Sequence, residues 1–530
     1  MLVQLLGLLV LCAPPAGAAP TWNTFGAPKS ENLDQAPAVL SYAVTTGDLG
    51  LEDSHACVGV QVAKEPGALI LAGVGTECAD ECQPGQSKTH GDGMAVKMNR
   101  DGTLAWGWRS NRNGTNDHML GVTELPSGEV LLAGYLVDSG VGRRALIKLT
   151  AAGKKVWEFT DFGGDDSTHH SAIELVTMAG TTHVLLAGLK DKPNLNEMGF
   201  KSGGNCEFGK AWIAKIAVSA LSKSAAPSRS DILWEKTEAT YMTAKAAKAL
   251  PDGSVVALMW AGESANGAPG MSAGIARYTA DGQTTTWGPK NFGNDQKLEG
   301  TDIAFTADGS KIAMSGHGGF LATDKDYSGK LVIINAANGA VMSNTEISAG
   351  GVPEMIYNEC WGVAAVSDGF VVSCGTGIEG CGHVSEANKV ACAAGQGDPS
   401  TPNVRFGAGL WQSMAAKIDL SGKLLWRRVD AYRGGQAACL ECKSFTAAGT
   451  SASEWVVANA DGTLAFVNDE ADGFGVMVLN ATGGGGGGGS GGGGSESKGD
   501  KKNGGDVGRL SVVAAAAWVM VSWCAALFIR

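Results

Sequence analysis

The sequence predicts an all-β fold, a seven-bladed β-propeller closed by its own N-terminal strand, and three observations predict it. A short apolar run, a tight glycine turn, a second apolar run and a DG- or SG-type turn leading to Trp return seven times, at roughly the 40- to 50-residue period of propeller blades. Of 530 residues 78 are Gly and 18% are charged, which suits many short strands joined by tight turns. The last repeat lacks its fourth strand, while a strand-like segment without a blade stands near the N-terminus; pairing them would remove an exposed sheet edge.

Taken in order, residues 1–19 read as a secretory signal: an apolar stretch from Leu2 to Cys12, then Pro14-Pro15, then the small residues Ala16-Gly17-Ala18-Ala19. The propeller is expected over 20–482. Its closing strand is expected at Thr21-Trp22-Asn23-Thr24-Phe25-Gly26. Each blade should carry four strands, A innermost to D outermost, told apart by apolar alternation and turn residues. Blade 1 spans Cys57 to Arg109. Blade 2 has A at Gly121 to Leu125, B at Glu129 to Gly134, C at Arg144 to Leu149 and D at Lys154 to Phe159. Blade 3 spans Ala172 to Lys236. Blade 4 repeats the pattern at Ala246 to Leu250, Ser254 to Met259, Gly274 to Tyr278 and Thr284 to Trp287. Blade 5 spans Asp302 to Glu346, with Met342 where other D strands carry Trp. Blade 6 spans Trp361 to Arg428, and blade 7 has A, B and C at Glu454 to Ala458, Thr463 to Val467 and Phe474 to Leu479.

Residues 483–509 form a stalk and polar spacer, nearly pure glycine from Gly483 to Gly494, which should behave as a flexible coil. Within 510–530, Leu510 to Ile529 carries no charge and is long enough to cross a bilayer. Lys498, Lys501, Lys502 and Arg509 precede this run and only Arg530 follows it, which matches a GPI signal cut at Ser495, or alternatively Asn503; a retained transmembrane helix is the other reading. Either one leaves the propeller outside the cell, anchored to the membrane.

The phrases Trp157…Phe162-Gly163-Gly164-Asp165-Asp166, Trp287…Phe292-Gly293-Asn294-Asp295 and Trp22…Phe25-Gly26 resemble the bacterial-type repeat of quinoprotein-like propellers, over about residues 20 to 480. Members of that class bearing pyrroloquinoline quinone are dehydrogenases. This sequence has no adjacent Cys-Cys pair and no Glu, Asn and Asp cluster beside a Trp to match the cofactor and its calcium. The D-strand residues Trp106, Trp157, Trp234, Trp287 and Trp426 recur at one position per blade and are expected to pack between blades, not to stack on a ligand.

Because successive strands are antiparallel, the A–B and C–D turns share one face of the disc and the B–C and D–A connections the other. The second face carries the long segments Val74 to Asp92, Leu189 to Gly209, Gly375 to Gly409, Asp430 to Ser453 and Ala27 to His55. Loops on a rigid scaffold are where binding sites are built. Ten cysteines lie on or beside that face, Cys57, Cys78, Cys82, Cys206, Cys360, Cys374, Cys381, Cys392, Cys439 and Cys442, and in an oxidising compartment they are expected to form loop-stapling disulfides. Cys78–Cys82, Cys360–Cys374 and Cys381–Cys392 are the pairings near enough in sequence to test.

Asp165, Asp166, His169 and His170 place two carboxylates and two imidazoles together on the same face, as a cation site or as an ordinary polar loop. Asp34, Asp117, Asp166 and Asp295 recur before A strands and could ring the axis as calcium ligands; no other cofactor is indicated. Asn113 and Asn480 head glycosylation sequons. A net charge of −12 disfavours nucleic acid, and no hydrolase, nucleotide or zincin motif occurs. The expected function is recognition of an extracellular protein or glycan through the elaborated face, the alternative being a hydrolase or oxidoreductase with its site in the axial funnel.

Overall fold

The computed structural model describes residues 22–24, 39–46, 53–77, 90–110, 117–138, 141–162, 167–178, 180–192, 210–261, 272–292, 298–318, 329–348, 357–377, 411–432, 451–470 and 473–480. Seven antiparallel sheets account for them. Six have four strands and blade 6 has five. The inner A strands are Asp53–Gln61, His118–Glu124, Ser167–Met178, Tyr241–Ala249, Leu298–Phe305, Tyr357–Val366 and Ser451–Ala458. Each lies against the A strand of the next blade, and the last lies against the first, so the ring is closed. The chain is therefore a seven-bladed β-propeller.

The closing strand differs from the sequence expectation. Val39–Thr46 pairs along its length with the C strand of blade 7, Gly473–Asn480, from Val39 opposite Leu479 to Thr46 opposite Gly473. Trp22–Thr24 instead adds a fifth strand to blade 6, with Trp22 opposite Tyr432 and Thr24 opposite Asp430. The Trp…Phe-Gly phrase drew attention to the wrong segment. Val39–Thr46 stands directly before the inner strand of blade 1 in the chain, joined to it through 47–52, the place in chain order that the last D strand of a closed ring takes. It also offers the longer ladder, from the β-favouring sequence VLSYAVTT.

Tryptophan packing between blades has a definite geometry. Trp157, Trp234 and Trp287 donate their indole N–H groups to Lys223 O, Ala280 O and Ala336 O in the C–D connection of the following blade, at 3.2, 3.3 and 2.8 Å. A cation on the neighbouring C strand reaches the same oxygen each time: Lys148 at 3.1 Å, Lys215 at 2.7 Å and Arg277 at 2.8 Å. In blade 1, Trp106 donates to Ala151 O at 3.0 Å. Beneath the rings lie left-handed glycines of the same turns: a Cβ on Gly153, Gly282 or Gly339 would come within 2.6, 2.7 and 2.7 Å of Trp106, Trp234 and Trp287. Glycine is required there both by backbone and by space.

The weak copy in blade 5 is also placed differently. Trp157, Trp234 and Trp426 stand opposite Lys148, Lys215 and Lys417, whereas the corresponding pair in blade 5 is Ser343 opposite Ile333. Ser343, not Met342, therefore holds the Trp position, and it lies where a Cβ on Gly422 of the next blade would strike it. Met342 is 49% exposed on the outer surface.

Strand bounds confirm that connection length is unequal between the faces. A–B turns occupy 62–68, 125–129, 250–254 and 306–310 among others, while B–C and D–A connections occupy 78–89, 193–209, 378–410 and 433–450. Blade 3 is the exception on the short-turn face, where 218–231 joins C to D and contains the short helix Val218–Leu221.

Candidate functional site

The inner strands share one irregularity. In every blade the A–B pairing slips at the same level: at Cys57, Leu120, Ser171, Lys245, Thr301 and Glu454, and across Trp361-Gly362 in blade 6. A β-bulge turns its strand and re-aims a side chain, and bulges are common beside functional sites. Seven at one level make a ring around the axis.

Charged groups gather at and beside that ring on blades 3 to 7. His317, fully buried on the B strand of blade 5, has its Nε2 3.5 Å from Glu299 Oε2 on its own blade and 3.9 Å from Glu359 Oε1 on blade 6. Burial opposes charge on this imidazole, but Glu299 and Glu359 outweigh it and hold its pKa above the ordinary histidine value. Its ring also lies 5.2 Å from that of Trp361. Deeper along the axis, Lys248 Nζ is 3.0 Å from Asp302 Oδ1 and 5.6 Å from the Trp455 ring, so this side chain of blade 4 reaches groups of blades 5 and 7. Burial works against its charge, and Asp302 and Glu174 overcome that, raising its pKa. The second carboxylate oxygen of Asp302 accepts the N–H of Val363 at 3.2 Å, tying blade 5 to blade 6.

Lys245, at the bulge of blade 4, behaves otherwise. Its Nζ lies 4.2 Å from the Trp260 ring, and burial lowers its pKa to about 8 although Glu299 and Glu454 oppose the shift. Burial likewise raises the Glu174 carboxyl, against the pull of Lys248. The axis is thus crossed by charges that brace the blades. Glu299, Asp302, Glu359 and Glu454 are each no more than 3% exposed. Sequence reasoning passed over these groups because it took inner strands as apolar runs. The signal was present as lysines and carboxylates inside AKAAKA, LEGTD and YNECW.

Of the sequence-predicted site, Asp165 and Asp166 lie outside the described residues. His169 and His170 fall on the inner strand of blade 3, opposite Leu189 and Gly188, and only their backbone is described. Asp117 is fully buried and accepts the backbone N–H of Val137 at 2.8 Å, a fold contact within blade 2; Asp34 and Asp295 lie outside the described residues, as do Asn113, Ser495, Asn503 and the apolar tail. Asn480 is exposed at the end of Gly473–Asn480. Among the described residues no three His, Cys, Asp or Glu side chains form a metal-holding group, and no helix is long and apolar enough to cross a membrane.

Cys360 and Cys374 form a disulfide. It does not staple a loop: both residues are fully buried and directly opposed on the A and B strands of blade 6. Cys57 lies on the inner strand of blade 1, its side chain outside the described residues, and Cys78, Cys82, Cys206, Cys381, Cys392, Cys439 and Cys442 also lie outside them.

No family model matches the chain, and no curated protein matches it. Among solved structures it is similar to Chaetomium thermophilum Sqt1 bound to the N-terminus of ribosomal protein L10, at 13% identity and a TM-score of 0.40, over 84% of this chain and 100% of that one. Kuenenia stuttgartiensis hydrazine synthase is similar at 9% identity and a TM-score of 0.44, over 82% and 97%. A protein from Lactobacillus plantarum is similar at 9% identity and a TM-score of 0.41, over 78% and 99%. The propeller assignment rests on the sheet topology, and these likenesses add nothing to it about function.

Proposed function

We propose that the protein is a recognition module held at the cell surface by its C-terminal segment, and that it binds an extracellular protein or glycan through the face carrying the B–C and D–A connections. The inequality of the two faces carries this reading. Tight turns on one face need no more than to reverse the chain, whereas 193–209, 378–410 and 433–450 put a large share of sequence between the strand ends of the other face. Secretion, anchoring and loop disulfides are supported by the terminal segments and the cysteine placement in the sequence. The Trp…Phe-Gly phrase supports a quinoprotein-like repeat type.

Glycan wedges test the reading on the full chain displayed on cells. Val390→Thr creates a sequon at Asn388 within 378–410, and Ala340→Thr creates one at Asn338 on the exposed C–D turn of blade 5. Binding to a glycan array or to a panel of cell-surface ectodomains is expected to fall with the first and persist with the second. The reverse pattern would remove the proposal.

A further inference from the structure

Two lysines three residues apart on the inner strand of blade 4 have different surroundings. Lys245 and Lys248 both belong to Tyr241–Ala249, and both are partly exposed. Inner strands line the axis, so that exposure opens onto the axial space. Lys248 is clasped by the Asp302 carboxylate at 3.0 Å and stays charged. Lys245 sits in the bulge, between the paired residues Ala244 and Ala246, and its Nζ lies 4.2 Å from the centre of the Trp260 ring. That ring is fully buried, and its indole N–H donates to Gly300 O of blade 5, which fixes it between two blades.

Each part of this arrangement suits an amine nucleophile. Burial against the ring disfavours the ammonium and lowers its pKa to about 8, so roughly a tenth of Lys245 is neutral at pH 7, roughly 300-fold more than for an ordinary lysine. Glu299 of blade 5 and Glu454 of blade 7 are close enough to act on that charge, and both carboxylates are no more than 3% exposed. They are placed to move protons at the amine. Glu299 and Glu359 also flank His317, so three carboxylates stand against two cations. Such a site disfavours an anionic substrate, while the indole favours an apolar one.

We propose that Lys245 is a carbonyl-capturing residue, which takes a small neutral aldehyde from the axial space as a Schiff base. The Nζ lone pair forms the C–N bond, and a proton passes from nitrogen to the carbonyl oxygen through Glu299 or Glu454, giving the carbinolamine. The C–O bond then breaks, and the oxygen leaves as water with the two hydrogens that the amine has lost. Amine and aldehyde become imine and water, with nothing oxidised or reduced. The site goes beyond the recognition function and uses the axis, not the long connections.

The test is reductive trapping on the full chain. Benzaldehyde or glyoxylate is supplied with cyanoborohydride, which reduces the imine to a stable secondary amine, and peptide mapping gives the labelling rate of each lysine. At pH 7 benzaldehyde is expected to label Lys245 roughly 10-fold or more faster than Lys248 or the exposed Lys223. Trace acetylation with acetic anhydride reads the neutral amine directly: the Lys245 rate should level off above about pH 8 while that of Lys223 keeps rising. Glu454→Gln should move the levelling-off to lower pH, because Glu454 favours the ammonium. If that variant fails to fold by circular dichroism, Glu299→Gln is read in its place, with the same sign. Trapping at Lys245 no faster than at Lys223, acetylation still climbing above about pH 9, or a higher Lys245-to-Lys223 ratio with glyoxylate than with benzaldehyde would overturn the proposal. The glycan wedges read the loop face, so either result can fail alone.

Discussion

Gly282→Ala and Gly462→Ala form a matched pair that measures the blade-to-blade latch. Both glycines follow Asp in DG turns and both are left-handed, with φ of 70° and 81°. Alanine in that conformation costs about 1–2 kcal/mol at either site. At Gly462 nothing lies within 4 Å of the new methyl, so this is the whole expected cost. At Gly282 the methyl would stand 2.7 Å from the Trp234 ring, which is 8% exposed and has little room to retreat. Overpacking adds about 1–3 kcal/mol, for a total of about 2–5 kcal/mol. Urea unfolding followed by far-ultraviolet circular dichroism should place the Gly282→Ala midpoint well below that of Gly462→Ala. In a Trp234→Ala background, Gly282→Ala should cost no more than Gly462→Ala does, because the coupling resides in that one contact. Equal costs for the two glycines in the parent chain, or no relief in the Trp234→Ala background, would refute the latch.

Three further outcomes follow from the axis and the disulfide. Lys248→Met leaves the buried Asp302 carboxylate without its partner and should destabilise by about 3–5 kcal/mol, while adding Asp302→Leu should recover most of the loss in the same urea assay. His317 has a raised folded pKa, so its charge interactions stabilise fully below about pH 6.5, the unfolded value, and fade as pH rises through the folded value. The stability gap between the parent chain and His317→Gln should therefore shrink from pH 6 toward alkaline pH, and a gap that widens would contradict the assignment. Non-reducing peptide mapping should recover Cys360 linked to Cys374, and the double Ala variant should lose about 3 kcal/mol, given a sequence separation of 14.

Much of the fold was legible because a blade is a local object. Alternation, DG turns and the recurrent Trp placed the middle strands of blades 2 and 4 near their observed bounds: B of blade 4 is expected at Ser254 to Met259 and is Val255–Ala261, whereas its A strand, expected at Ala246 to Leu250, begins five residues earlier, at Tyr241. The reading of Trp157, Trp234 and Trp287 as packing also follows from repetition, since a residue serving one ligand has no reason to recur at the same register position on successive blades. In the DG turns of Asp101, Asp252, Asp281, Asp308 and Asp461 the carboxylate accepts the backbone N–H of the residue two ahead, as Asp308 does from Ser310 at 3.0 Å, so the turn is encoded within five residues.

What the sequence alone determined is therefore the repeat, the number of blades and the order of strands within them. Tertiary structure decided which N-terminal segment closes the ring, because Val39–Thr46 and Gly473–Asn480 meet across more than 400 residues and the outcome depends on ladder length and connection length, not on motif. It decided that Ser343 takes the Trp position, since register is set by pairing and a one-residue slip exchanges the faces. It alone brought Lys245, Lys248, Glu299, Asp302, His317 and Glu359 together. They come from four strands, Lys245 and Lys248 sharing one and Glu299 and Asp302 another, and only the closed ring brings their charges close enough, in a low-dielectric interior, to act on one another.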